Sequence, residues 1–203
     1  MKLLDFVGWL LVAAAAAGAL AFSLLGRGDR ERDDFTSDVT LSQFTAWAGT
    51  ESEPSFSPDG NDIAFVSRGA VTWEIFAVEL GSGRVRQLTR TIDARTSSQG
   101  PAWSPDGSQI AFDRARDGNF DIYVMNADGS GIVQLTHGQA VDARPAWSPD
   151  ARSIVFHSTR DRPRSASADD RRFLDLYIMA ADGSNVSRLT SNRNFDAHPR
   201  WGR

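Results

Sequence analysis

Cysteine is absent from the 203 residues. That absence excludes disulfides, thiol nucleophiles, thiolate metal sites and a lipidated amino-terminal cysteine, but it does not fix the compartment. Lysine occurs once, at Lys2, among 22 basic residues; we read the arginine bias as genomic. A basic surplus is also missing: the formal charge is −4 and the pI near 5.3, so nucleic acid is not an expected partner. Histidine appears only as His137, His157 and His198. They are far apart in sequence, none forms a His-x-His or H-E-x-x-H pattern, and each reads as a surface or loop residue. No G-x-S-x-G elbow is present, and "DGSG" at 128–131 is a hairpin turn without that spacing. No catalytic residues and no enzyme activity are expected.

What is present first is a long apolar run. Phe6 to Leu25, "FVGWLLVAAAAAGALAFSLL", contains no charge. As a helix rising about 1.5 Å per residue it spans roughly 30 Å, the thickness of a bilayer core. Residues 1–26 are expected to be a transmembrane anchor or a signal peptide, the second reading using Lys2 as its basic end and "ALA" at 19–21 as its cleavage site. Both readings put the remaining chain outside the cytoplasm. The charged stretch 27–38, "RGDRERDDFTSD", reads as a linker.

From there the chain repeats itself. "PSFSPDG" (54–60), "PAWSPDG" (101–107), "PAWSPDA" (145–151) and "PRWGR" (199–203) are four versions of one phrase. Phe56, Trp103, Trp147 and Trp201 mark it at spacings of 47, 44 and 54 residues. Glu74, Asp121 and Asp175 each precede Thr89, Thr136 and Thr190 by fifteen residues. Length varies only before Pro101 and in an insertion around 162–171, so the unit is a physical repeat. Its chemistry is that of strands. Alternation puts Ile110 with Phe112, and Ile154 with Phe156, on one face. In "DIYVMN", Ile122 and Val124 share one face while Tyr123 and Met125 share the other, as in a strand covered on both sides. "SPDG" and "ADGS" supply tight turns, with Ala151 standing where the third copy needs a glycine. About four short strands per 44 residues make a propeller blade.

The stretch "PAWSPDGSQIAF…DGNFDIYVMNADGSGIVQLT" resembles the WD-like repeat of the TolB-type β-propellers, over residues 39–203. "LSQFTAWAGTESEPSFSPDGNDIAF" is also similar to the sensor propellers of bacterial Ser/Thr kinases and winged-helix regulators. The fold expected is all-β: a partial, open TolB-like propeller of about three four-stranded blades, preceded by one hydrophobic helix. Blades are expected at about 54–89, 101–136 and 145–190, with partial strands at 39–45 and 199–203. Pro54, Phe56, Pro58, Pro101, Trp103, Pro105, Gly107, Pro145, Pro149, Trp147, Pro199 and Trp201 are the repeat-structural residues. Uncovered blade faces invite self-association.

In such a propeller the residues three before each repeat proline, Glu51, Ser98, Asp142 and Asp196, enter the innermost strands and surround one channel mouth. The carboxylates of Glu51, Asp142 and Asp196 could hold a cation such as calcium or receive a basic peptide; as an alternative they cap backbone N–H groups ahead of the strand. The resemblance implies a non-catalytic extracytoplasmic module that binds a protein or ligand in the cell envelope, such as a peptidoglycan-associated lipoprotein. It would sit on the bacterial inner membrane facing the periplasm, or free in the periplasm if the first segment is cleaved. The alternatives are the outer sensor half of a signalling protein, and the accessory propeller of a peptidase or lyase.

Overall fold

A computed structural model describes residues 13–15, 18–23, 40–43, 45, 50–161, 174–191 and 195–201. The chain divides into two compact units, Met1–Ser52 and Glu53–Arg203.

In the first unit, β1 (Ala13–Ala15), β2 (Gly18–Ser23) and β3 (Thr40–Gln43) form an antiparallel sheet in that order. Ala13 lies opposite Leu20, and Leu20 opposite Gln43. This differs from the helix expected over 6–25: its described residues are strands. Gly18 costs a helix interior about 1 kcal/mol relative to alanine, whereas two neighbouring strands satisfy the backbone of β2 on both sides. The other residues of that span, and the linker 27–38, lie outside the described residues. Among the described residues no helix is long and apolar enough to cross a membrane.

The second unit carries three four-stranded antiparallel sheets. The first runs β4 (Glu51–Phe56), β5 (Asp62–Arg68), β6 (Trp73–Glu79), β7 (Val85–Gln87). The second runs β8 (Thr96–Trp103), β9 (Gln109–Arg116), β10 (Asn119–Asn126), β11 (Val133–Gln134). The third runs β12 (Asp142–Trp147), β13 (Ser153–Ser158), β14 (Asp175–Ala180), β15 (Ser187–Arg188). Each strand pairs with its neighbour in sequence, and the array is open. We refer to β4, β8 and β12 as inner strands and β7, β11 and β15 as outer strands.

The alternation in the sequence is realised as two cores between blades. Ile110, Phe112 and Met125 pack with Ala64, Val66, Ile75 and Leu88 of the first blade. Ala111, Ile122 and Val124 pack with Trp147, Ile154, Phe156 and Met179 of the third. The middle blade is therefore apolar on both faces. The faces also key together through the hairpins. A Cβ on Gly129 (φ +90) would lie 2.6 Å from the Leu88 carbonyl oxygen, and one on Gly183 (φ +86) 2.9 Å from that of Leu135. Each hairpin thus rests its glycine on the leucine that follows the outer strand of the preceding blade.

The "SPDG" turns form as their residues require. Gly60 and Gly107 take φ +72 and Ala151 takes φ +58. Ser57, Ser104 and Ser148 donate to Asp59, Asp106 and Asp150 at 2.6, 2.5 and 2.6 Å, and each serine oxygen accepts the N–H that opens the next strand at 2.9 Å. The serine bonds, with the backbone N–H donated from two residues beyond each aspartate, hold the three carboxyls below the usual carboxylate range.

Candidate binding site along the inner strands

The fifteen-residue spacing has a direct cause. Thr89, Thr136 and Thr190 accept, through their hydroxyl oxygens, the N–H groups of Ile75, Ile122 and Leu176 at 2.8, 2.9 and 2.9 Å. Thr89 donates in turn to Glu74 at 2.5 Å and Thr136 to Asp121 at 3.3 Å. Glu74 also takes the Thr91 hydroxyl, while Asp175 takes Arg188 at 2.6 Å. These acids lock the outer strand to the third strand within each blade.

The residues expected at a channel mouth are placed where the strands begin, and most are buried. Glu51 and Asp142 open β4 and β12, and Ser98 lies in β8. Their exposures are 3%, 1% and 0%. Glu51 accepts from Thr45, Asp142 pairs with Arg160 at 2.9 Å, and Ser98 accepts from Arg114 at 3.1 Å. Asp196 is half-buried and its N–H donates to the Leu174 carbonyl at 3.0 Å. Each is engaged locally. Among the described residues no group of three His, Cys, Asp or Glu lies close enough together to hold a metal ion.

Of the repeat residues, Pro101, Pro145, Trp147 and Pro199 are buried, and Pro54 and Trp103 half-buried. Pro58, Pro105 and Pro149 stand exposed at their turns, and Gly107 faces Pro58 closely enough that a Cβ would meet its ring at 3.2 Å. Phe56 and Trp201 are exposed, although the Trp201 indole donates to the Ala146 carbonyl at 3.2 Å. The insertion around 162–171 lies outside the described residues.

A further polar set lies one residue before each repeat proline. Glu53, Gly100, Arg144 and His198 all have positive φ, at +54, +61, +58 and +54. The ladder shifts register there, between Gln99 and Ala102 and between Ala143 and Ala146. Such a bulge re-aims a side chain out of the ladder, here towards a neighbouring blade. Glu53 accepts the Gly100 N–H at 2.7 Å and pairs with Arg144. Asp113, on β9, accepts the Arg144 N–H at 3.0 Å. His157, on β13, meets the His198 ring edge-on, centroids 5.9 Å apart. Glu53 with Gly100, and Asp113 with Arg144, thus tie successive blades at the inner strands, the Glu53–Arg144 pair joins the first blade to the third, and His157 holds His198. This corrects the surface reading for His157, which is 8% exposed and touches His198; His137 and His198 are exposed, as expected.

Burial pushes the Asp113 carboxyl up to about 6, against the Arg144 N–H and charge that favour its ionised form. Burial, then His198 and Arg144, lowers His157 to about 4. The set is a chain of paired groups, not a nucleophile with its base. The guanidinium of Arg114 lies 5.3 and 5.2 Å from the Phe112 and Tyr123 rings, and that of Arg160 lies 5.2 and 4.8 Å from Phe156 and Tyr177. Sequence reading missed the set before the prolines. The signal available was a titratable residue closing two otherwise apolar strand phrases, Asp113 in "IAFD" and His157 in "IVFH".

The family described as the TolB beta propeller domain matches residues 90–165. Those residues belong to the TolB-type β-propeller repeat family. A Protein TolB homolog of Chlorobium luteolum is 37% identical over 185 residues, 91% of this chain and 40% of the relative. TolB of Acinetobacter baumannii has a similar fold with TM-score 0.63 at 22% identity, over 77% of this chain and 36% of that one. A TolB structure from Agrobacterium tumefaciens gives 0.60 at 23% identity, over 85% and 60%. The TolB-type chain thus spans about two fifths of the curated relative's length.

Proposed function

We propose that this TolB-type array is a non-catalytic module that binds a protein of the cell envelope outside the cytoplasm. The observation that carries the reading is the run of ties along the inner strands. Its polar groups are paired across blade joints, an arrangement that stiffens a surface and activates no nucleophile. Strand direction places the connections between blades (90–95 and 137–141) at the end where the inner strands begin. There Ile92 is 93% exposed, on a loop held by the bonds of Glu74 to Thr91 and of Asp93 to Arg95. An apolar side chain on an anchored loop suits a protein partner that offers it an apolar pocket.

The resemblance to TolB makes a peptidoglycan-associated lipoprotein the partner to try. Titration calorimetry with the full chain should show binding that Ile92→Asp weakens at least about tenfold without lowering the melting temperature. No heat for the wild type, or equal affinity in the variant, removes this reading. Location is tested separately: alkaline phosphatase fused after residue 203 should be active, and a β-galactosidase fusion inactive.

A further inference from the structure

Aspartate precedes glycine five times in the chain, at Asp59, Asp106, Asp117, Asp128 and Asp182. In such a pair the glycine backbone nitrogen can attack the aspartate Cγ, because glycine has no side chain to obstruct the approach. A Cγ–N bond forms, the amide proton and the carboxyl hydroxyl leave as water, and a five-membered succinimide results. Water then opens either carbonyl, returning aspartate or leaving isoaspartate. The product is an isomer, and the step needs no oxidant and no co-reactant beyond water.

Four of the five pairs are tied at both reacting groups. The N–H groups of Gly60, Gly107, Gly129 and Gly183 donate to turn carbonyls at 3.0, 2.9, 2.9 and 2.9 Å. The carboxylates before them accept the N–H groups of Asn61, Ser108, Ser130 and Ser184 at 3.1, 3.0, 2.8 and 2.9 Å. The hydroxyls of Ser57, Ser104, Ser130 and Ser184, then these N–H groups, hold the four carboxyls below the usual range. They stay ionised, and an ionised carboxylate has no hydroxyl to lose.

Asp117 and Gly118, the two-residue loop between β9 and β10, are held differently. The Gly118 N–H has no acceptor among the described residues, and a Cβ on Gly118 would meet nothing within 4 Å. The Asp117 side chain is 63% exposed, and among the described residues its carboxylate meets only the exposed Arg95, at 3.4 Å. Such a surface pair restrains it little. Asp117 also holds a left-handed backbone, φ +51, which costs an L-residue energy that rotation would release.

We infer that Asp117–Gly118 is the site of succinimide and isoaspartate formation in the folded chain. The Asp117 N–H donates to the Arg95 carbonyl at 3.0 Å, so the modification falls on the tie between this hairpin and the 90–95 connection.

Ageing of the full chain, folded and at near-neutral pH, tests the inference. Isoaspartate is read at each site by fragmentation mass spectrometry, and by lost cleavage with a protease that cuts before aspartate but not before isoaspartate. Position 117 should gain it at least about tenfold faster than 59, 106, 128 or 182, each of which must first break two hydrogen bonds. In urea, where the turns are undone, the five sites should react within about threefold of one another. Absence of isoaspartate at 117, an equal rate at any of the four tied turns, or the same ranking in urea as in the folded chain overturns the inference. The last result would place the preference in the neighbouring sequence and not in the fold.

Discussion

Ala151 holds a left-handed backbone, φ +58, where the two sister turns use glycine. Such a conformation costs an L-residue about 1 kcal/mol or more. Ala151→Gly should therefore raise stability by about 1 kcal/mol and the melting temperature by about 2–4 °C, read by calorimetry. A larger residue-scale effect hides in Asp113 and His157. Between pH 4 and 6 the unfolded Asp113 has lost its proton while the folded one, at about 6, keeps it. The folded state then binds more protons, so stability falls as pH rises through that window. His157 acts oppositely. From about pH 4 to 6.5 the unfolded imidazole is charged and the folded one, at about 4, is not, so stability rises with pH. Each effect amounts to about 3 kcal/mol when complete, and in the wild type they nearly cancel. Asp113→Asn should unmask a stability that climbs across this range, and His157→Gln one that declines. Urea melts at pH 4, 5 and 6.5 would show it; parallel profiles for all three proteins would refute both assignments.

Among elements, the hairpin glycines separate two costs usually confounded. Gly118 has φ +85 and open space, whereas Gly129 has φ +90 and the Leu88 backbone at 2.6 Å from a Cβ. Gly118→Ala should lose about 1 kcal/mol from backbone conformation alone. Gly129→Ala should lose about 3 kcal/mol, the excess being overpacking of the blade joint; equal losses in urea unfolding would mean the hairpin does not bear on Leu88. The sequence made the turns and the strand faces legible at this scale. Ile110, Phe112 and Met125 do face one neighbour, and Ile122 with Val124 the other. The fifteen-residue interval was also visible, but its meaning was not. That an acid and a threonine fifteen residues apart join two strands is settled by the hairpin that returns the chain between them.

For the molecule as a whole, an array in which each blade packs only on its neighbours is stabilised most at the centre. Hydrogen exchange should be slowest for β9 and β10, flanked on both sides, and fastest for β15, beside exposed Leu189. Uniform protection would argue against a graded array. The helix expected near the amino terminus shows the opposite side of legibility. An alanine-rich apolar run satisfies the patterns of helix and strand alike, and pairing of β2 with β1 and β3 gives its described residues the strand form.

By itself the sequence determined the repeat, its turns and the two faces of each strand, because these depend on backbone conformation and side-chain period within a few residues. The tertiary structure alone decided the polar ties along the inner strands. Glu53, Gly100, Arg144 and His198 occupy one position of the repeat yet share no chemistry, so no pattern marks them. Arg114 and Arg160 show the converse, standing two and four residues beyond their phenylalanines yet covering the same kind of aromatic pair. What the residues before the prolines do is fixed by the groups that other blades bring against them, tens of residues away in the chain. Arg114 and Arg160 are instead fixed by the hairpin that returns Tyr123 and Tyr177 within their own blades.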